Sequence, residues 1–278
     1  MQNDKVLVIY REIGKKLIDK LKLQTYPIAV KLIKEGEKVS SNALRPLDVF
    51  GKEIPACLSY TWVRRSGFSF YLKGEDIACK PISIHHFGFE KVENPDVVFK
   101  AWEKKAGYKK DKEAEKSSRR SDATFKFGEF KGLVVSPLHV SIIIPDVVMI
   151  YCNPLILSHL ILSATYNGQV ITSYFNGMES SCKEGIIRTY KTNQCQVIAP
   201  GMGDRVLAGV QDHEMIFSIP ESKLQEINNN LFLSGNKINP KPFGIPNLNA
   251  SLGPLDIFGN PNEPRVWPYL RKRIKKDK

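Results

Sequence analysis

Gly74-Glu75-Asp76-Ile77-Ala78-Cys79-Lys80 and Gly177-Met178-Glu179-Ser180-Ser181-Cys182-Lys183 are two copies of one pattern, Gly-x4-Cys-Lys, whose cysteines are 103 positions apart. The surroundings of the copies agree as well. Before the first lies a helical stretch from Cys57 to Arg65, then Gly67 and the alternating run Phe68-Ser69-Phe70-Tyr71-Leu72. Before the second lies a helical stretch over 155–166, then Gly168 and Val170-Ile171-Thr172-Ser173-Tyr174. Apolar residues three and four apart mark a helix with one buried face, and strict alternation marks a strand. Each helix is preceded by an apolar run opened by a proline, Pro27-Ile28-Ala29-Val30-Lys31-Leu32 and Pro145-Asp146-Val147-Val148-Met149-Ile150. The unit strand, helix, strand, cysteine, helix thus occurs twice, and it exceeds the roughly 20–50 residues of a solenoid repeat. It predicts an α/β fold, with a mixed α+β arrangement as its variant, built from two similar halves packed as one pseudo-two-fold unit. Cys79 and Cys182 would then hold equivalent places and face a shared cleft.

Working outward, residues 5–23 read as a helix whose buried face carries Val6, Ile9, Ile13, Leu17 and Leu21. The halves occupy about 24–102 and 132–220, separated by a charged insertion over 103–121, and together they fill a single globular unit over 1–230. The second half opens with Gly132-Leu133-Val134-Val135-Ser136 and the apolar 140–144, and closes with Met215-Ile216-Phe217-Ser218-Ile219 before a short helix over 221–232. Residues 231–278 are an extension in which Pro, Asn and Gly accumulate, and proline's fixed φ and missing donor keep it out of regular elements. With 278 residues, 42% of them hydrophobic, the chain can bury a full core.

The formal charge of +12 invites a nucleic-acid reading, but its location speaks against one. Residues 103–121 hold eight basic and four acidic side chains, net +4, and residues 271–278 hold six and one, net +5. Nine of the twelve charges therefore sit in two polar segments that read as solvated appendages, with no nucleic-acid module beside them. No stretch approaches the roughly 20 apolar residues of a membrane span, and the start of the chain lacks a signal-peptide core, so a cytoplasmic protein is expected. In a reducing compartment the five cysteines, Cys57, Cys79, Cys152, Cys182 and Cys195, are thiols or metal ligands rather than disulfides.

Cys79 and Cys182 stand where a loop enters a helix, each followed by a lysine, a setting that lowers a thiol's pKa and suits a ligating or reactive sulfur. Cys57 follows Pro55-Ala56 at a third helix start, and Cys195 lies in the polar stretch Lys191-Thr192-Asn193-Gln194. Cys152 ends an apolar run and reads as core. Four thiolates from Cys57, Cys79, Cys182 and Cys195 would hold an iron–sulfur cluster or zinc, although no Cys-x2-Cys pair supports this by spacing alone. Histidines add little: His86 shares a helical face with Cys79 but lies two turns away, and His139 and His159 are isolated. A separate candidate is Pro200-Gly201-Met202-Gly203-Asp204-Arg205, where Gly201 and Gly203 permit close backbone approach and Asp204 and Arg205 could bind a small anion. His213-Glu214 could supply a general base.

Several of these blocks together resemble a known family. Tyr26 to Leu32, Ala56-Cys57-Leu58, Glu75 to Cys79 with Gly88-Phe89, Gly177 to Cys182, and Gly201 to Arg205 with Glu214 and Ile219-Pro220 are similar to successive blocks of the prokaryotic domain of unknown function 169. The resemblance spans roughly residues 20–222. It implies a cytosolic α/β protein of a kind common in anaerobes and archaea, with cysteine blocks at Cys57, Cys79 and Cys182; Cys195 is in none of them. No activity comes with the resemblance. Two function classes follow: a metal or iron–sulfur protein with a redox or enzyme partner still to be identified, and a cofactor-free anion-binding protein or thiol enzyme with its ligand between the halves. Nucleic acid and membrane are not expected as partners, and self-association and enzymatic activity are left open.

Overall fold

The computed structural model describes residues 2–91, 93–94, 107–175 and 177–234. In chain order, α1 (Gln2–Leu21) leads to β1 (Ile28–Ile33), the short α2 (Pro46–Phe50), α3 (Ala56–Ser66) and β2 (Phe70–Lys73). A 3₁₀ turn, Gly74–Asp76, then enters α4 (Pro81–His86), which is π-helical. After α5 (Lys112–Arg119) come β3 (Gly132–Pro137), β4 (Val147–Cys152) and α6 (Pro154–Ala164). A second π-helix, α7 (Ser181–Arg188), runs on into an α-helical turn over Thr189–Thr192. The chain continues through β5 (Gln196–Ile198), α8 (Met202–Ala208), β6 (Met215–Pro220) and α9 (Glu221–Asn230).

The strands form one six-stranded sheet in the order β2-β3-β1-β4-β6-β5. Every ladder in it is antiparallel. The architecture is mixed α/β with helices on both faces, which is why β1, β3, β4 and β6 read as nearly unbroken apolar runs rather than alternating ones. Alternate residues serve two cores. Ile28, Val30, Leu133, Val135, Val147, Met149 and Ile216 face α3, α4 and α7 on one side. Ala29, Val148, Ile150, Phe217 and Ile219 face α1, α6 and α9 on the other.

Helix α1 docks through Tyr10, Ile13, Leu17 and Leu21, while Ile9, expected inside, is half exposed. The stripe is rotated by one position because the helix seats Gly14 against the chain at Leu138 and His139. A Cβ on Gly14 would come within 2.6 Å of the His139 backbone nitrogen. Gly14→Ala is therefore expected to cost about 1–3 kcal/mol, as overpacking against immovable backbone does. It should lower the thermal midpoint by roughly 2–4 °C per kcal/mol, read in a melting curve.

The repeat carries through the structure unevenly. The first motif ends just before a π-helix and the second runs into one, and both π-helices cover the same face of the sheet. A two-fold axis relating β1 to its antiparallel neighbour β4 would stand perpendicular to the sheet and keep each helix on its own face. Yet α3 covers one face and α6 the other, so these helices do not correspond. The strand expected over Val170–Tyr174 is also replaced: no ladder includes it and Val170 is mostly exposed. Alternation supplies a face but no partner, and the edge beside β6 is taken by β5, with Ser173 Oγ accepting from the Val197 amide at 2.8 Å.

The charged insertion is only in part an appendage. Asp111 caps α5 by accepting from the Ala114 amide at 2.8 Å, and the end of the helix docks. Arg119, 13% exposed, lies 2.6 Å from Glu115, 3.5 Å from Asp122 and 3.7 Å from Glu179. Residues 103–106, and the extension and basic tail from 235 to 278, lie outside the described residues.

Candidate functional site

Cys57, Cys79 and Cys182 line one pocket on the α3 face of the sheet, and local structure explains how they meet. An isolated bridge pairs Ile54 with Ile77, with the Ala78 amide donating to the Ile54 carbonyl at 2.9 Å, so the residues just before Cys57 and Cys79 run side by side. The first motif is held from beneath by Asp76. This wholly buried carboxylate accepts from Arg45 Nε at 3.1 Å and the Lys73 amide at 2.9 Å. Cys182 arrives from the other side of the sheet's midline on α7, its sulfur 3.3 Å from the Tyr60 hydroxyl of α3.

Helix α8 closes the ring, and this brings in the Gly201 turn that the sequence left separate. Cys57 Sγ donates to the Gly203 carbonyl at 3.8 Å, and Thr61 Oγ1 donates to the Ala208 carbonyl at 2.8 Å. At its other side α8 abuts the second motif: a Cβ on Gly201 would lie 3.1 Å from the Gly177 carbonyl oxygen and 3.1 Å from Ser180 Oγ. Asp204 turns back to accept from the Gly201 amide at 2.9 Å and from the Ser181 hydroxyl. The helix start is thereby capped by its own carboxylate, which occupies the Gly201 amide. Arg205 points away, donating to the Gln211 carbonyl at 2.6 Å.

The pocket wall combines these three thiols with the carboxylates of Glu179 and Asp204 and with apolar Ile82, Met178 and Leu207. Its cavity of about 40 Å³ has room for a few water molecules. Among the described residues no lysine, arginine or histidine lines it. Burial raises the Cys57 thiol well above its ordinary value, with Asp204 and Cys79 adding to it. Burial, then Glu179, pushes Cys79 up to about 12. Cys182 is raised too, by burial and then by Cys57. The expectation that helix starts and following lysines would make these sulfurs thiolates is corrected. Burial outweighs the favourable backbone N–H groups, and both lysines turn elsewhere: Lys80 lies 3.2 Å from Glu90, and Lys183 2.7 Å from Asp122.

Behind the wall lies a polar network that sequence reasoning missed. Glu179 Oε2 is 2.8 Å from His86 Nε2 and 3.7 Å from Arg119. Burial alone would raise the Glu179 carboxyl, but His86 and Arg119 hold it down to about 2. Lys183, fully buried, pairs with Asp122 and lies 3.9 Å from Glu184, which in turn pairs with Arg188. The signal was present as an acid two residues after the glycine in both motifs, Asp76 and Glu179, but not the identity of its partners. Two buried tyrosines lie behind the cysteines. Tyr60 touches Cys182, and the wholly buried Tyr151 hydroxyl has no hydrogen-bond partner among the described residues. Tyr151 stays protonated because burial, and then Asp204, raise it.

The remaining candidates fall elsewhere. Cys195 lies on the opposite face of the sheet with Ile227, so the four-cysteine set is not assembled: the residue preceding β5 points into the second core. Cys152 is in that same core. Glu214 is not a free base, because Arg64 donates to it through both terminal nitrogens, one of them at 3.0 Å. Among the described residues, one group offers three ligand atoms mutually within 4.8 Å: His85, His86 and Asp122. Lys183 and Arg119 already neutralise Asp122 there, an electrostatic setting that opposes a cation.

Residues 16–230 match the family model of domain of unknown function 169, described as uncharacterised ArCR, and the chain belongs to that family. No curated protein and no solved structure matches the chain significantly. Among the described residues no helix is long and apolar enough to cross a membrane.

Proposed function

We propose that Cys57, Cys79 and Cys182 bind an iron–sulfur cluster or a soft metal ion such as zinc, and that the protein acts in electron transfer or ligand activation. The observation that carries this reading is the composition of the pocket wall: three thiols, two carboxylates and, among the described residues, no basic side chain. Among the described residues a small anion would meet only like charge on that wall, which disfavours the anion-binding alternative. A thiol nucleophile is disfavoured as well, since neutral thiols do not attack and these three are raised. A metal reverses the balance. Its charge displaces the thiol protons, and the N-terminal ends of α3 and α7 favour the thiolates that result. A single zinc would take the three sulfurs at about 2.3 Å each, whereas a cluster would hold them farther apart.

Free thiols of this kind suit a reducing cytoplasm, and the partner in the proposal is a redox protein or an enzyme that uses the bound group. The shared placing of both cysteine motifs at π-helix starts supports an ancestral duplication of that part of the chain, since extended π-helix is rare and concentrates at functional sites. The test is anaerobic purification followed by metal analysis and a visible spectrum. A brown protein, or one with about one equivalent of zinc, is expected. A colourless protein that takes up neither iron with sulfide nor zinc on reconstitution overturns the reading.

A further inference from the structure

The proposed site has three cysteines, and with Cys195 on the other face of the sheet it lacks a fourth thiol. Two carboxylates reach the same wall, and they are held differently. Asp204 is consumed by the fold: one oxygen accepts from the Gly201 amide, the other from Ser181, and together they cap α8. Moving it would uncap that helix. Glu179 is held by one oxygen alone. His86 Nε2 and Arg119 both meet Oε2, and Oε1 has no hydrogen bond among the described residues.

The backbone is also set for this residue. Glu179 has φ +53°, a left-handed conformation that non-glycine residues rarely adopt, two residues after Gly177 at φ +77°. Its carbonyl accepts from the Lys183 amide at 2.9 Å, so the strained residue forms the first turn of the helix that carries Cys182. From that turn it lines the same pocket as Cys79, a residue of the other motif. His86 is backed in turn by the Ala123 carbonyl at 3.4 Å from Nδ1. Outer partners of this kind orient a ligating carboxylate.

We infer that Glu179 supplies the fourth ligand of the metal or cluster, through Oε1, completing a three-sulfur, one-oxygen site. This rests on the three-cysteine reading above. The hydrogen bond to His86 and the contact with Arg119 keep Oε2 engaged while Oε1 turns to the bound group, so ligation needs rotation of a flexible side chain and no change in the fold. One oxygen among three sulfurs makes a site that can open, since a carboxylate is displaced more readily than a thiolate. That would let an exogenous molecule reach the metal without unseating it.

The test uses the full chain, loaded anaerobically with iron and sulfide or with zinc, whichever the purified protein proves to hold. Extended X-ray absorption at the metal edge should show sulfur neighbours with one oxygen per site. Glu179→Gln, which still accepts from His86, should remove that oxygen and weaken metal retention against a chelator by at least about tenfold. Asp204→Asn should leave the oxygen in place. An oxygen that persists in Glu179→Gln, a shell of sulfur alone in the wild type, or loss of the oxygen in Asp204→Asn overturns the inference while leaving the three-cysteine site standing. A wild-type shell without sulfur overturns both. Should Glu179→Gln fail to fold, the wild-type shell still decides between oxygen and sulfur alone.

Discussion

Cys57→Ser, Cys79→Ser and Cys182→Ser are each expected to lower the bound metal from about one site per chain toward none. Cys152→Ser and Cys195→Ser should retain it. The contrast follows from position alone. The first three line one pocket, whereas the last two lie in the core across the sheet. Serine keeps the volume but offers a hard hydroxyl in place of a soft thiolate, and that exchange is large for iron–sulfur and zinc sites. In the two core positions the hydroxyl instead has to be buried, which costs about 1–3 kcal/mol of stability unless it finds a partner. Metal analysis and melting curves on the five variants therefore separate along different axes: three lose metal, two lose stability. Equal metal loss across all five would show that the effect is general unfolding.

The second large effect is on the fold. Arg64 is fully buried on α3, pairs with Glu214 through two nitrogens, and stands 4.3 Å over the Tyr151 ring. Arg64→Ala leaves Glu214 enclosed without its partner and should cost about 3–5 kcal/mol, a midpoint loss on the order of 10 °C. A double change of Arg64→Met and Glu214→Leu should recover most of it, since no charge is then stranded. The same pair sets an acid limit. Burial would raise the Glu214 carboxyl, but Arg64, the Gln211 amide and Arg65 bring it below the ordinary value. A depressed folded pKa means that the contribution is complete above the unfolded carboxylate's value of about 4.3, and is lost as pH falls through the lower folded value. The double variant should lack this part of the acid transition.

How far the chain could be read from its sequence depended on the range of the forces involved. Strands β1, β3, β4 and β6 and helices α1, α3, α6 and α9 were visible because local apolar periodicity already names their buried faces. Their partners were not, since register and sheet order are settled by contacts far apart in sequence. For that reason Val170–Tyr174, with good alternation, stays outside the sheet, while β5, three residues long, enters it. The pocket shows the same division. Repetition marked Cys79 and Cys182, and the helix start marked Cys57. Composition could not place Cys195 on the wrong face, nor bring Gly201 to Asp204 against the second motif, because both depend on which face of β5 and α8 meets the sheet. The role of Arg119 was hidden for a further reason. A segment rich in charge reads as solvated unless buried opposite charges, here Asp122 and Glu179, await it.

In the proposed site Cys57, Cys79 and Cys182 hold one metal group between them. The most direct test is anomalous diffraction at the metal edge from crystals of the anaerobically loaded protein. A peak is expected in the pocket between α3, α4, α7 and α8 with all three sulfurs bonded to it, at about 2.3 Å for a metal–thiolate bond. A peak instead among His85, His86 and Asp122, or three sulfurs left unbonded in a protein that carries metal, would contradict it.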